Sequence, residues 1–399
     1  MKKIWIISEF YYPIVTSTGY YMTEIAEHLA KSDYDVYVIC TDAKYNKVDK
    51  TKFIKEEIRN NVHIKRVKTF DINKNNFIKR TFRLLASSFS LLQLMNRNIR
   101  KGDELLCVTN PVFILLFLPI FSKLKGVKYR LLVHDIFPEN LAAIKKIRKQ
   151  SFFYRLLLKA FNYAYLHAET CISIGRDMSE IILQKTQGKA NISLIPNWAD
   201  TDVVFPLRKE QTILANKINI RSLIFQFAGN LGHAQGLDNI VTVITQLKRN
   251  DICFLFIGDG AKYQMINKLS EDQENVVLLG IQDRSTQNDF LNCCDIGIVT
   301  LSDGMYGLGV PSKSYNIMAA GKPILYIGDK TSEIALCIQE YEIGWIVEPN
   351  NPQILYETML SIISIPQEEI ISIQKKSRWV AENVFSKSVV LSRYDKLFE

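Results

Sequence analysis

The chain has 399 residues, 47% hydrophobic and 23% charged, with a mean hydropathy of zero and a net charge of +9. At roughly 100–200 residues per domain the length implies two or three domains, and the composition is too apolar for a disordered chain. Eighteen Gly and 11 Pro are ordinary numbers, which excludes collagen-like and low-complexity classes.

The charge is split by position. Residues 1–200 carry 32 Lys and Arg against 18 Asp and Glu, a balance of +14, and residues 201–399 carry −5. Halves of opposite sign point to two domains with different partners, one of them anionic.

Along the first half, Ile4–Ile7 is too short and lacks the cleavage site of a signal peptide, so it reads as a buried first strand. The segment from Phe10-Tyr-Tyr-Pro13 to Gly19 then forms a strand-ending loop that enters a helix over Thr23–Ala30, and Tyr12 and Gly19 suit the floor under a substrate. Strands follow at Val36–Ile39, Val62–Val67, Leu105–Val108, Tyr129–Val133 and Thr170–Ile174, with a helix over Phe152–Ala164. Two segments have apolar centres with basic margins. One spans Phe77 to Lys101 between Lys79, Arg80, Arg83 and Arg97, Arg100, Lys101; the other, Pro111 to Phe121, precedes Lys123, Lys125, Lys128 and Arg130. Such helices suit an anionic membrane surface, where each Lys or Arg contributes about 1 kcal/mol. Neither has the roughly 18 uninterrupted apolar residues of a spanning helix.

His134, Asp135 and Glu139 stand just beyond a buried strand end, a position suited to catalytic or hydroxyl-binding side chains. A hydrolase triad would want a G-x-S-x-G elbow, and the chain has none. The segment Ile195-Pro-Asn-Trp-Ala-Asp200 marks the domain boundary, near the change of charge sign.

The second half repeats the alternation, with strands at Ile224–Ala228, Ile252–Ile257, Val276–Leu279, Ile296–Val299, Ile324–Ile327 and Gly344–Val347. The whole reads as α/β with parallel sheets in two Rossmann-like halves, closed by a helical stretch from Gln374. After the first strand of this half comes Gly229-Asn-Leu-Gly-His-Ala-Gln-Gly236, leading into a helix over Leu237–Leu247. Glycines here let backbone N–H groups approach an anion such as phosphate. Their spacing is not G-x-G-x-x-G, which disfavours NAD. Gly258 and Gly260 end the next strand and Gly280-Ile281 the one after, at the edge where open α/β sheets bind ligands. The turn Gly309-Val-Pro-Ser-Lys313 opens a helix over Ser314–Ala320. There Ser312 and Lys313 can neutralise phosphate, and Asn316 can hydrogen-bond a sugar hydroxyl. The seven cysteines are scattered without ligand spacing and read as reduced core thiols of a cytosolic protein.

Taken together, FYYP…G at 10–19, HDIFPEN at 134–140, IPNWAD at 195–200, FAGNLGHAQGLDNI at 227–240, IGDG at 257–260 and GVPSKSYNIMAAGKP at 309–323 resemble the retaining family 4 (group 1) GT-B glycosyltransferases. Within that family they look most like the amino-sugar transferases of bacterial capsule and O-antigen assembly. The resemblance covers nearly the whole chain. It implies an acceptor- and membrane-facing domain at 1–200, a nucleotide-sugar domain at 201–375, a central cleft, and a helix at 376–399 crossing back to the first domain.

Carried over by position, Gly229 and Asn230 lie near the donor phosphates, and His233 and Gln235 stand where cationic side chains often grip them. The backbone at Ile281 meets the base, Ser312 and Lys313 the diphosphate, and Asn316 the ribose or sugar. His134 matches the acceptor-side or catalytic histidine, with Asp135 and Glu139 as its neighbours. The sequence departs from the family where Leu308 and Asn316 replace both glutamates of E-x7-E, and where Asn230 and Gln235 replace the usual cations of the phosphate loop.

The implied reaction moves an N-acetylhexosamine or deoxy-amino sugar from a UDP-sugar to a polyprenyl-diphosphate-linked acceptor. It retains configuration and uses no metal or cofactor, on the inner face of the cell membrane and without nucleic acid. Two alternatives share the fold: an isomerase like UDP-N-acetylglucosamine 2-epimerase, and a non-catalytic nucleotide-sugar-binding subunit.

Overall fold

The structure is a computed structural model that describes residues 2–14, 16–43, 53–69, 77–218 and 222–399. At 77–80 and 216–217 only the backbone is described, so the Lys79 and Arg80 side chains lie outside the described residues. The chain divides into two compact units, Met1–Ile195 with Leu391–Glu399, and Pro196–Val390.

The strands of the first unit are β1 (Lys3–Ile7), β2 (Asp35–Thr41), β3 (Glu56–Arg59), β4 (Val62–Val67), β5 (Glu104–Val108), β6 (Lys128–Val133), β7 (Thr170–Ser173) and β8 (Ile192–Leu194). They form one sheet in the order β3-β4-β2-β1-β5-β6-β7-β8, parallel except for β3. Its helices are α1 (Ser17–Lys31), α2 (Phe77–Asn98), α3 (Leu118–Lys125), α4 (Glu139–Ala143), α5 (Phe152–Leu166) and α6 (Arg176–Lys185), with a 3₁₀ turn at Val112–Leu116. The central strands are apolar on both faces because helices cover both, which is why they read as continuous hydrophobic runs. At the head of α1, the Thr16 hydroxyl accepts the Gly19 N–H at 3.0 Å and caps the helix.

Two strands escape the sequence reading. Glu-Glu-Ile-Arg at β3 is an edge strand whose charges guard its open side, and β8 is a three-residue edge.

The second unit is a six-stranded parallel sheet in the order β11-β10-β9-β12-β13-β14, the order of a dinucleotide fold. Its strands are β9 (Leu223–Ala228), β10 (Ile252–Ile257), β11 (Val276–Leu279), β12 (Ile296–Thr300), β13 (Ile324–Ile327) and β14 (Gly344–Val347). The helices are α7 (Leu237–Ile244), α8 (Tyr263–Asp272), α9 (Gln287–Asn292), α10 (Lys313–Ala319), α11 (Glu333–Tyr341), α12 (Pro352–Ile363) and α13 (Gln367–Asn383), followed by α14 (Lys387–Asp395). Alternation along the strands builds two cores. Phe225, Phe227, Phe254, Phe256 and Ile298 pack on one side of the sheet, and Ile224, Leu255 and Val299 on the other.

Two helices, α13 and α14, occupy the C-terminal stretch that reads as one. Between them Phe385 accepts the Ala199 N–H at 3.1 Å, Lys387 N–H donates back to Ala199 at 3.0 Å, and the Lys387 ammonium pairs with Asp200 at 3.1 Å. The Ile195–Asp200 motif is therefore a structural clasp, with Trp198 buried behind it. Beyond this point the last residues join the first unit: Lys2 donates to the Phe398 carbonyl at 2.6 Å, and His28 meets Asp395 at 2.9 Å. All seven cysteines are buried and free. No helix among the described residues is long and apolar enough to cross a membrane.

Candidate active site

In an open α/β sheet, ligands bind beyond the carboxyl ends of the strands where the strand order reverses. Each unit has such a point, between β1 and β5 in the first and between β9 and β12 in the second. The sequence-predicted residues lie on the segments that follow the strands of the two sheets, with Ile281 past the edge strand β11.

In the first unit, Thr109 follows β5 and its hydroxyl accepts the backbone N–H groups of His134 (3.1 Å) and Asp135 (3.2 Å), pinning the end of β6. The His134 ring sits edge-on to Tyr21, with Nδ1 3.5 Å from the Thr18 hydroxyl of α1. Its Nε2 is buried without a hydrogen-bond partner among the described residues. Burial holds the imidazole pKa down to about 4, so His134 is neutral at pH 7. Burial pushes the Asp135 carboxyl up to about 6, against the opposing hydrogen bond from Asn140 Nδ2 at 2.9 Å.

Glu139 is held elsewhere. Its Oε1 lies 2.5 Å from Lys185 Nζ of α6, and that ammonium also donates to the Phe137 carbonyl at 3.2 Å. The pair braces the head of α4, and burial lowers the Lys185 pKa against the pull of Glu139. Tyr12 is partly exposed, with its ring under the Arg59 guanidinium at 3.7 Å and its carbonyl accepting from Arg66 at 2.7 Å. Gly19 lies in the first turn of α1. Neither Arg59 nor Arg66 was marked by the sequence, because both come from the β3–β4 hairpin, far along the chain.

In the second unit, the loops after β9 and β10 lie against one another. Gly229 N–H donates to Ile257 O at 2.8 Å and Leu231 N–H to Asp259 O at 2.9 Å. Gly258 has φ +137°, and a Cβ there would fall 1.9 Å from the Gly229 carbonyl oxygen, so only glycine permits this approach. Asn230 and His233 are exposed on the loop, while Gln235 is half-buried. Gly260 closes the neighbouring turn, its N–H bonded to Asp259 Oδ1 at 2.7 Å. Ser302, after β12, ties in by donating from its N–H to Ala234 O and from its hydroxyl to His233 O, each at 2.9 Å.

Lys313 reaches into this loop from the start of α10. Its ammonium is 3.5 Å from the Phe227 ring centroid and 3.4 Å from Gln235 Oε1. A Cβ on Gly229 would lie 3.2 Å from that ammonium. Among the described residues no carboxylate pairs with it, and burial pushes its pKa down to about 7. Ser312 precedes α10, Asn316 is half-buried one turn on, and Ile281 is exposed two residues past β11. The structure thus brings Gly229, Gln235, Gly258 and Lys313 together, with Asn230 and His233 at the rim. An unpaired cation over a glycine loop can take a diphosphate.

Residues 209–379 match the family Glycosyl transferases group 1, and residues 18–203 match Glycosyltransferase Family 4. WbjE of Pseudomonas aeruginosa, which carries a glycosyltransferase name, is 33% identical over 399 residues, spanning 99% of this chain and 97% of WbjE. WcaI of Escherichia coli (strain K12), named for colanic acid biosynthesis, is 24% identical over 98% of each chain. The crystal structure of Anabaena HepE in complex with UDP superposes with a TM-score of 0.73 at 13% identity, over 100% of this chain and 99% of HepE. With two Rossmann-like units, matches to both families across nearly all its length and a full-length relative one-third identical, the chain belongs to the group 1 glycosyltransferases of GT-B fold.

Proposed function

We propose that the protein transfers a sugar, an N-acetylhexosamine or deoxy-amino sugar, from a UDP-sugar to a lipid-diphosphate-linked acceptor in bacterial surface-polysaccharide assembly. The observation that carries this reading is Lys313, a cation without a carboxylate partner among the described residues, over Gly229 at the switch point of the second sheet. A diphosphate seated there would meet the ammonium and loop N–H groups, which stabilise the charge that develops as the sugar leaves. HepE's crystallisation with UDP supports a uridine donor, and WcaI's name supports a polysaccharide product.

In the first unit the neutral His134 and the carboxylate of Asp135 face the acceptor, while Glu139 and Lys185 hold α4 in place. The transfer retains configuration. The acceptor hydroxyl attacks from the face the diphosphate leaves, and a phosphate oxygen takes its proton. Positioning supplies most of the acceleration, without a metal. The basic first unit brings the protein to the inner face of the cell membrane, where the acceptor lipid resides.

Incubation with UDP-sugars, with and without a lipid-linked acceptor, tests the reading. UDP release that requires the acceptor is the expected result. Epimerised UDP-sugar without acceptor, or donor binding without turnover, would replace the reading with an isomerase or a non-catalytic subunit.

A further inference from the structure

Within the second unit, the segments that leave the carboxyl ends of β12, β13 and β14 enclose a hollow of about 360 Å³. That volume is in the range of small-ligand sites. None of Gly229, Gln235, Gly258 or Lys313 lines it. Ser302 lies at the boundary, its N–H and hydroxyl both taken by carbonyls of the glycine loop, those of Ala234 and His233. The strands that carry the hollow are also the opposite half of the sheet from β10 and β11, which carry Gly258, Gly260 and Ile281.

Floor and rim differ in chemistry. On the floor, the hydroxyls of the buried Tyr326 and Ser332 lie 2.8 Å apart, and Met305 is buried with them. The rim carries Asp303, Asp329, Glu348 and Asn350, and no Lys or Arg lines the hollow. Three carboxylates without a lining cation repel a diphosphate, which sets the hollow apart from the anion site at Lys313.

Each carboxylate is held by a neighbour. Asp329 Oδ1 accepts the Thr331 N–H at 2.8 Å and its hydroxyl at 2.6 Å, Asn350 Nδ2 is 3.4 Å from Asp303 Oδ2, and Lys330 Nζ is 3.7 Å from Glu348. Asp329 Oδ2 and Asp303 Oδ1 have no bond of this kind among the described residues. Asn350 is fixed in turn, with a left-handed φ of +61° and its N–H donated to Asn239 Oδ1 of α7 at 3.2 Å. An ionised carboxylate only accepts, so a ligand here must donate; the carboxamide and the two hydroxyls can do both. Sugar hydroxyls meet all three kinds of group, and Met305 and Pro349 offer apolar surface to the C–H face of a ring.

We propose that this hollow is a second saccharide site, which takes an uncharged sugar unit of a glycan chain independently of the nucleotide sugar at Lys313. The site goes beyond the transfer reading. A polysaccharide product gives it a purpose, but binding requires neither donor nor turnover.

The test is saturation-transfer NMR on the full chain, with methyl glucoside and methyl N-acetylglucosaminide as probes and with UDP-N-acetylglucosamine and spermidine as competitors. Two variants address the rim: Asp303→Ala/Glu348→Ala, at exposed positions, and Asn350→Gly, which deletes the carboxamide and suits the left-handed backbone. Melting temperature and UDP affinity, both unchanged, show that the second unit stays intact.

At least one glycoside should bind in the presence of saturating UDP-N-acetylglucosamine, and each variant should weaken it about tenfold, the worth of one hydrogen bond to a charged group. No signal from either glycoside would overturn the site, as would variants that bind like the wild type. Displacement by UDP-N-acetylglucosamine would make the hollow part of the donor site, and displacement by spermidine would make it an amine site; either overturns the proposal. Acceptor-dependent UDP release is measured separately. Its absence with glycoside binding intact would overturn the transfer reading and leave the saccharide site standing.

Discussion

Burial pushes the Lys313 pKa down to about 7, so its ammonium is half discharged near pH 7. The sign of the pH effect follows. Only the protonated form attracts a diphosphate, so affinity for a UDP-sugar is full below pH 7 and falls as pH rises through it. Calorimetric titration across this range should show that loss, and Lys313→Met should flatten it. Turnover of Lys313→Ala should drop about 10²–10³-fold with the melting temperature nearly unchanged; undiminished turnover would remove Lys313 from the mechanism.

His134→Ala should abolish transfer and leave UDP-sugar affinity intact, because the ring belongs to the first unit. Asp135 titrates at a raised pKa of about 6, so its buried ionised form costs stability above that pH and the cost vanishes once the group is protonated. Asp135→Asn should therefore melt higher than the wild type at pH 7, with the advantage gone near pH 4. An advantage that persists in acid would assign the gain to packing instead.

At the scale of elements, helix α2 is joined to the end of β1 by a buried pair, Arg83 Nη1 and Glu9 Oε1 at 3.1 Å. Arg83→Met takes the guanidinium from the buried Glu9 carboxylate, so it should destabilise the protein by up to about 3–5 kcal/mol in denaturant unfolding, and pairing it with Glu9→Gln should recover part of that. Of the twelve strands read from sequence, most were legible because parallel strands covered on both faces are apolar runs, and β4 through its alternation of apolar and polar residues. β3 and β8 were not, since an edge strand needs neither apolar face nor length.

The same contrast holds in the site. Gly229, Gly258 and Lys313 announce themselves as glycine turns and a polar helix entry after strands. Their meeting partners, Gln235 against Lys313 and Lys185 against Glu139, are decided by which strands neighbour each other, information that no local window contains. Glu139 stands out in sequence as chemistry and the Ile195–Asp200 segment as a domain boundary, and both make structural contacts, the one with Lys185 and the other with Phe385 and Lys387.

At the scale of the whole chain, residues 1–200 carry +14 and residues 201–399 carry −5, and in the second half the proposed diphosphate site offers Lys313 and a glycine loop. Bulk charge and site charge therefore belong to different halves, as expected if one surface seeks a membrane and the other a single diphosphate. The central claim is sugar transfer with retention. Its most direct test follows a UDP-sugar and a lipid-linked acceptor by proton NMR. The account predicts a new glycosidic signal with the donor's anomeric configuration that requires the acceptor. A product of opposite configuration, or donor consumed to an isomer without acceptor, would contradict it.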